Sequence, residues 1–229
     1  MDSYAATRDR LEGYFDREAA KVWERLTSDA PVGRIRQTVR QGRDRMRAIL
    51  LDALPQDLTG ARVLDAGAGT GAASAILAER GARVVAVDIS PKLLDVARDR
   101  LPGHLRGSVD FRAGDMADPA LGRFDHVIAM DSLIHYRAPD IARTLDALAG
   151  RTDGSIVFTV APRTALLTMM HNVGQFFPRG SRSPAIVPVT PSALDAALSP
   201  MTRALGWSLC ELPRVASGFY ISQAMELSR

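Results

Sequence analysis

The sequence predicts an α/β fold, a mostly parallel sheet of five strands flanked by helices and extended at its C-terminal end by an antiparallel hairpin. Three observations predict it. The stretch Val63 to Gly71 runs from apolar residues through Asp65 and three glycines into Ala72 to Leu77, which reads as strand, tight turn and helix. Apolar runs of strand length then alternate with helical runs as far as about Val160, the pattern of parallel strands joined by crossover helices. The first three of these strands end in Asp65, Asp88 and Asp115, which gathers three acids at the edge where open α/β sheets bind ligands.

The chain has 229 residues, enough for one α/β domain and an accessory segment, and its 46% hydrophobic content is ordinary for a globular protein. No apolar run approaches the roughly 18 residues needed to span a bilayer. Met1 to Tyr4 lacks the basic and apolar parts of a secretory leader, and Cys210 stands alone, so a reducing cytoplasm is the expected compartment. The net charge is only +3, but Lys21 and Lys92 are the sole lysines and every other basic residue is arginine. A GC-rich coding sequence accounts for that bias. Planar guanidinium groups also suit carboxylate recognition.

Residues 1 to 58 are expected to form a helical arm, and 59 to 229 the sheet domain. In the arm, Leu11, Tyr14, Phe15, Val22, Trp23 and Leu26 recur at helical spacing. After a break at Ser28 to Gly33, the residues Ile35, Val39, Met46, Ile49, Leu50 and Leu54 mark a second helix. Its other face carries Arg36, Arg40, Arg43 and Arg47. A solvated face is the ordinary explanation; a cationic surface turned toward an anionic substrate or an acidic membrane is the alternative. Nucleic acid fits poorly, because no aromatic residues interleave with these arginines.

The first strand and its glycine turn leave two ligand classes open. Gly67, Gly69 and Ala72 satisfy the dinucleotide pattern G-x-G-x-x-G/A. However, Asp65 would set a negative charge where a pyrophosphate arrives, and a carboxylate there suits a cationic ammonium group instead. The second strand, Arg83 to Val87, ends at Asp88, placed for ribose hydroxyls in either ligand. Ser90-Pro91 starts the next helix with a capping hydroxyl and a first-turn proline. Val109 to Arg112 is a third strand followed by Gly114-Asp115-Met116, and this third acid favours the cationic ligand. Phe124 to Met130 is the fourth strand, Ile141 to Leu148 a helix and Ser155 to Val160 the fifth strand.

Residues 161 to 190 then change character, with four prolines, Met169, Met170, His171, Phe176 and Phe177. Such a long insertion is expected to be a binding loop or lid. Thr190-Pro191 opens a last helix through Leu205. Trp207 to Glu211 and Phe219 to Glu226 read as two strands joined at Arg214 to Gly218.

The pattern D-x-G-x-G-x-G with an acid after strand two and Gly-Asp after strand three resembles the class I S-adenosylmethionine-dependent methyltransferases. The resemblance implies a Rossmann-like seven-stranded sheet. It also implies that Asp65, Ala66, Gly67, Gly69 and Gly71 hold the methionine end, Asp88 and Ile89 the ribose, and Asp115 and Met116 the adenine. Asp131, at the end of strand four, is expected beside the cofactor.

Several further stretches narrow the resemblance to the magnesium-protoporphyrin IX O-methyltransferase family. They are Tyr14-Phe15, Leu133-Ile134-His135-Tyr136, Ala161-Pro162-Arg163-Thr164 and Phe177-Pro178. Plant and cyanobacterial members usually have Cys-Gly within the glycine motif, where this chain has Ala66-Gly67-Ala68-Gly69. The resemblance implies methyl transfer from S-adenosylmethionine to a propionate of a magnesium porphyrin, with magnesium present only as part of the substrate. It implies catalytic roles for His135 and Tyr14, and substrate contacts from Tyr136, Arg163, His171, Phe177 and Arg179. The porphyrin-binding subunit of magnesium chelatase is an implied partner, and an apolar substrate is compatible with peripheral contact at the inner (photosynthetic) membrane. Two other readings stay open: a methyltransferase for another small acceptor such as a quinone precursor, and a porphyrin carrier without turnover.

Overall fold

The computed structural model describes residues 3–16, 33–163 and 185–229. These form six α-helices and seven strands in the order α1 (Ser3–Tyr14), α2 (Arg34–Asp52), β1 (Arg62–Ala66), α3 (Ala72–Glu79), β2 (Arg83–Asp88), α4 (Pro91–Arg100), β3 (Ser108–Ala113), β4 (Phe124–Ala129), α5 (Ala138–Ala149), β5 (Thr152–Val160), α6 (Pro191–Leu205), β6 (Ser208–Ser217) and β7 (Tyr220–Ser228). The strands make one sheet in the order β3-β2-β1-β4-β5-β7-β6. β1 to β5 pair in parallel, and β7 runs antiparallel to both β5 and β6. The expected five parallel strands with a terminal hairpin are therefore the observed sheet. Strand order reverses between β1 and β4, so a crevice opens at their C-terminal ends.

Side-chain alternation builds a core on each face of this sheet. Leu64, Val85, Val87, Val127, Ile156 and Phe158 point to one side, where α5 and α6 add Leu145, Leu148, Leu194 and Leu198. Val63, Val84, Ala86, Ile128 and Val157 point to the other, where α2 adds Met46, Leu50 and Leu51 and α3 adds Leu77. Both faces are covered, which is why these strands read as continuous apolar runs in the sequence. The predicted caps form: Ser90 Oγ accepts from the Leu93 amide at 3.4 Å, and Thr190 Oγ1 from the Ala193 amide at 3.2 Å.

The hairpin differs from expectation in its turn. β6 continues to Ser217, so Arg214 to Ser217 are strand residues rather than the connection. The register shifts between Glu211 and Arg214, around Pro213. A bulge on an edge strand accommodates a residue that has no N–H to donate. The turn itself is only Gly218-Phe219, with Gly218 at φ +59°. Ser217 Oγ donates to the Thr38 carbonyl at 2.9 Å, which fastens this tip to α2.

Candidate active site

A cavity of about 490 Å³ lies at the crevice, and its lining comes from α1, α2, the strand ends and the hairpin tip. The cofactor side is built by the turn after β1. Gly67 and Gly69 have φ of +86° and +54°, a left-handed backbone that other residues adopt at a cost. A Cβ on Gly69 would meet nothing within 4 Å, whereas one on Gly67 would come within 2.4 Å of Ser132 Cβ. Gly69 thus faces open space, and Gly67 lets the β1 and β4 loops close together. Gly71 caps α3 and packs against Ala97; neither it nor buried Ala66 lines the cavity.

Two carboxylates hold this turn. Asp88 Oδ2 accepts from the Gly69 amide and Oδ1 from the Ser90 amide, both at 2.8 Å. Asp65 is 2% exposed and is held by Ser74, whose Oγ donates to it at 2.6 Å and whose backbone N–H also faces it. Burial, reinforced by the Asp88 charge, pushes the Asp65 carboxyl up to about 6. Burial raises Asp88 as well, against the opposing pull of its backbone N–H partners. Two acids so placed are best served by a cationic ligand.

Asp115 and Met116 also line the cavity, as does Ile89. Asp115 Oδ1 accepts from Tyr4 Oη at 2.6 Å and the Ala117 amide at 2.8 Å, and Oδ2 pairs with Arg8 Nη1 at 3.1 Å. An ionised carboxylate has about four acceptor positions, so a further amino group can still be received. Tyr4 stacks on Tyr136 with centroids 4.9 Å apart. Helix α1 therefore forms a roof over Asp115 and Met116. Its sequence signalled an apolar face through Leu11 and Phe15, both of which line the cavity, but nothing in it marked Tyr4 or Arg8.

The acceptor side is built by the loop after β4. Asp131 has φ +55°, a left-handed conformation unusual for a non-glycine residue. Its amide donates to Thr159 Oγ1 at 2.7 Å. Its carboxylate pairs with Arg43 Nη1 at 2.9 Å and accepts from Tyr220 Oη at 3.0 Å. Asp131 lines the cavity, and its carboxylate is engaged by α2 and β7. Arg40, Arg43 and Arg47 line the cavity too, so these three arginines do not belong to a purely solvated face.

A single 3₁₀ turn, Leu133–His135, presents His135 to the cavity. Its Nδ1 lies 3.2 Å from the Ala185 carbonyl. A carbonyl only accepts, so Nδ1 carries the hydrogen and Nε2 keeps a lone pair in the neutral ring. Burial lowers the His135 pKa, which favours that neutral form. Ser132 Oγ, beside it, is buried with no hydrogen-bond partner among the described residues. Such a hydroxyl on a cavity wall suits a polar atom of a ligand.

Tyr14 does not line the cavity: it meets Phe15 edge-on at 5.3 Å, and Phe15 in turn faces the His135 ring at 6.2 Å. Arg163 is exposed and also outside the lining. His171, Phe177, Arg179, Val22, Trp23 and Leu26 lie outside the described residues.

Residues 63–152 match the family model for a methyltransferase domain, and residues 129–229 match that for the magnesium-protoporphyrin IX methyltransferase C-terminus. The chain is 58% identical to magnesium-protoporphyrin O-methyltransferase of Rhodobacter capsulatus, over 97% of both chains. It is 28% identical to the Synechocystis enzyme of the same name, over 100% of this chain and 97% of the relative. A crystal structure of magnesium protoporphyrin IX methyltransferase from Synechocystis PCC 6803 with bound S-adenosylhomocysteine superposes with a TM-score of 0.80 at 26% identity, covering 97% of this chain and 99% of the other. An identity of 58% over 97% of both chains places this chain in the magnesium-protoporphyrin O-methyltransferase family.

Proposed function

We propose that this protein transfers the methyl group of S-adenosylmethionine to one propionate carboxylate of magnesium protoporphyrin IX, giving the monomethyl ester and S-adenosylhomocysteine. The observation that carries this reading is the continuity of one cavity from the Asp65–Gly69 turn to His135. Bound S-adenosylmethionine supplies a methyl group on a cationic sulfur: the O–CH3 bond forms as the C–S bond breaks, with the bonding pair left on sulfur. No proton is released overall when the acceptor enters as a carboxylate.

The residues then have separable tasks. Asp65 receives the ammonium group, Asp88 and Ile89 the ribose, and Asp115 and Met116 the adenine, while Gly69 lets the ligand approach the main chain and Gly67, at the cavity wall, lets the β4 loop close beside it. A propionate is ionised in water near neutral pH, but an apolar cavity favours its protonated form. His135 Nε2 accepts that proton, and the resulting imidazolium holds the carboxylate for in-line attack. Arg43 offsets the Asp131 charge that would otherwise repel the acceptor. Tyr136 supports the roof through its stack on Tyr4. Tyr14 acts through Phe15 to position His135. Residues 1–58 serve as the arm over the site and 161–190 as its lid, with His171, Phe177 and Arg179 contacting the porphyrin and Arg163 at the lid's root.

Two outcomes are expected. Acceptor dependence should follow the free carboxylate: magnesium protoporphyrin is methylated, and its dimethyl ester gives no product detectable by mass. Methylation of the dimethyl ester would sink the propionate reading. The pH profile of kcat/KM should fall on the acid side only below the ordinary histidine value near 6.5, because burial lowers His135 and its neutral form is the active one. An acid limb centred above pH 7 would contradict the assignment.

No described helix is long and apolar enough to cross a membrane. A cytoplasmic location, with peripheral contact at the inner membrane and delivery of porphyrin by the magnesium chelatase subunit, completes the proposal. Co-sedimentation with that subunit tests its last part.

A further inference from the structure

The described residues leave two large apolar side chains exposed, Phe219 at 51% and Ile186 at 37%. Both line the mouth of the same cavity. Each stands next to a residue tied to the acceptor loop. Ile186 lies between Ala185, whose carbonyl accepts from His135, and Val187, whose amide donates to the Ile134 carbonyl at 2.8 Å. Phe219 precedes Tyr220, which donates to Asp131.

The phenylalanine is held out by a built turn. Gly218 backs directly onto Thr38, and a Cβ on Gly42 would come within 2.7 Å of the Tyr220 ring, so the tip sits tightly on α2. The same stretch of α2 contributes Val39 and Arg40 to the cavity lining. The mouth therefore combines a projecting aromatic ring, a branched aliphatic side chain and a guanidinium. A flat apolar ring with a carboxylate on its rim complements that combination.

We propose that Phe219 and Ile186 seat the substrate's macrocycle at the cavity mouth while Arg40 pairs with the carboxylate that is not methylated, a subsite that rests on the porphyrin reading above. It gives the substrate's second propionate a partner within the described cavity, a place that exposed Arg163 does not fill. It also sets the ring between the His135 loop and the hairpin, so that only one propionate reaches inward.

Binding of magnesium protoporphyrin, read from its fluorescence, tests this on the full chain with S-adenosylhomocysteine present. Phe219→Ala and Ile186→Ser should each weaken porphyrin binding about tenfold, and Phe219→Trp should restore it. Affinity for S-adenosylhomocysteine should stay within about twofold in each variant, which separates the subsite from a folding defect. Arg40→Gln should bind the monomethyl ester about tenfold more weakly and the dimethyl ester unchanged, since only the former keeps the second carboxylate. Unchanged porphyrin affinity in Phe219→Ala, beside normal wild-type turnover, would overturn the subsite and leave the enzyme assignment intact. Absence of wild-type turnover would remove the assignment itself. Loss of binding to anionic phospholipid vesicles in Phe219→Ala, with porphyrin affinity retained, would show that the ring serves a lipid surface and would likewise overturn the subsite.

Discussion

Asp65→Asn is expected to weaken cofactor binding severely while making the ligand-free protein more stable. The carboxylate is buried with Ser74 as its partner, through hydroxyl and backbone N–H, and its pKa of about 6 stands well above that of a free aspartate. A raised acid pKa means that the folded state holds the proton more tightly than the unfolded chain does. The Asp65 contribution to stability is then greatest below about pH 4, falls as pH rises toward 6 and is flat beyond it. Keeping this buried carboxylate ionised at neutral pH costs the fold about 3 kcal/mol. Asparagine keeps an acceptor for Ser74 and removes the charge, so denaturant unfolding of the ligand-free variant at pH 7.5 should show a gain of about 1–2 kcal/mol. Its slope between pH 4 and 6 should shrink without vanishing, because burial raises Asp88 in the same direction. S-adenosylhomocysteine affinity should drop by about 100-fold or more, as a charged partner to the ammonium is lost. A variant that binds normally would remove Asp65 from the cofactor site.

Arg43→Ala should damage both stability and turnover. Arg43 is the cation on a carboxylate whose side chain is only 6% exposed. Removing one member of a buried pair leaves the other uncompensated, which typically costs about 3 kcal/mol. Tyr220 and Thr159 would remain as neutral partners for Asp131. Adding Asp131→Asn to the Arg43→Ala background should recover about half of the lost stability, because the orphaned charge is gone. Turnover should recover in part as well, since the Asp131 charge that Arg43 offsets is gone. Simple additivity of the two substitutions in urea unfolding would show that the pair is not coupled.

The parts of this molecule that the sequence reveals are those fixed by local chemistry. Continuous apolar runs on strands covered on both faces place β1, β2, β4 and β5, and Ser90-Pro91 and Thr190-Pro191 announce two helix starts through hydroxyl caps that do form. Glycines and strand-end acids mark one cavity wall because a tight turn and a buried charge each need particular residue types. The hairpin turn is misplaced by the same logic: Arg214 to Ser217 resemble a turn because they lie on an edge strand, which water reaches as readily as it reaches a turn. Contacts between distant segments are not legible. Arg43, Asp131 and Tyr220 come from three elements, and only the fold brings them together. Tyr4 and Arg8 reach Asp115 across more than a hundred residues. The Arg36 to Arg47 stripe is visible, but its direction is not, since helical spacing alone gives a cationic face without saying whether a cavity or water lies against it.

The most direct test is the mass of the product made from S-adenosylmethionine and magnesium protoporphyrin IX by wild type and by His135→Ala, with S-adenosylhomocysteine affinity measured on both. A monomethyl ester is expected from the wild type, with a loss of about 100-fold in kcat in the variant and unchanged cofactor affinity. A variant that forms the ester at the wild-type rate would contradict the placement of His135 at the acceptor, and a wild type that binds the cofactor but leaves the porphyrin unmethylated would contradict the proposed reaction.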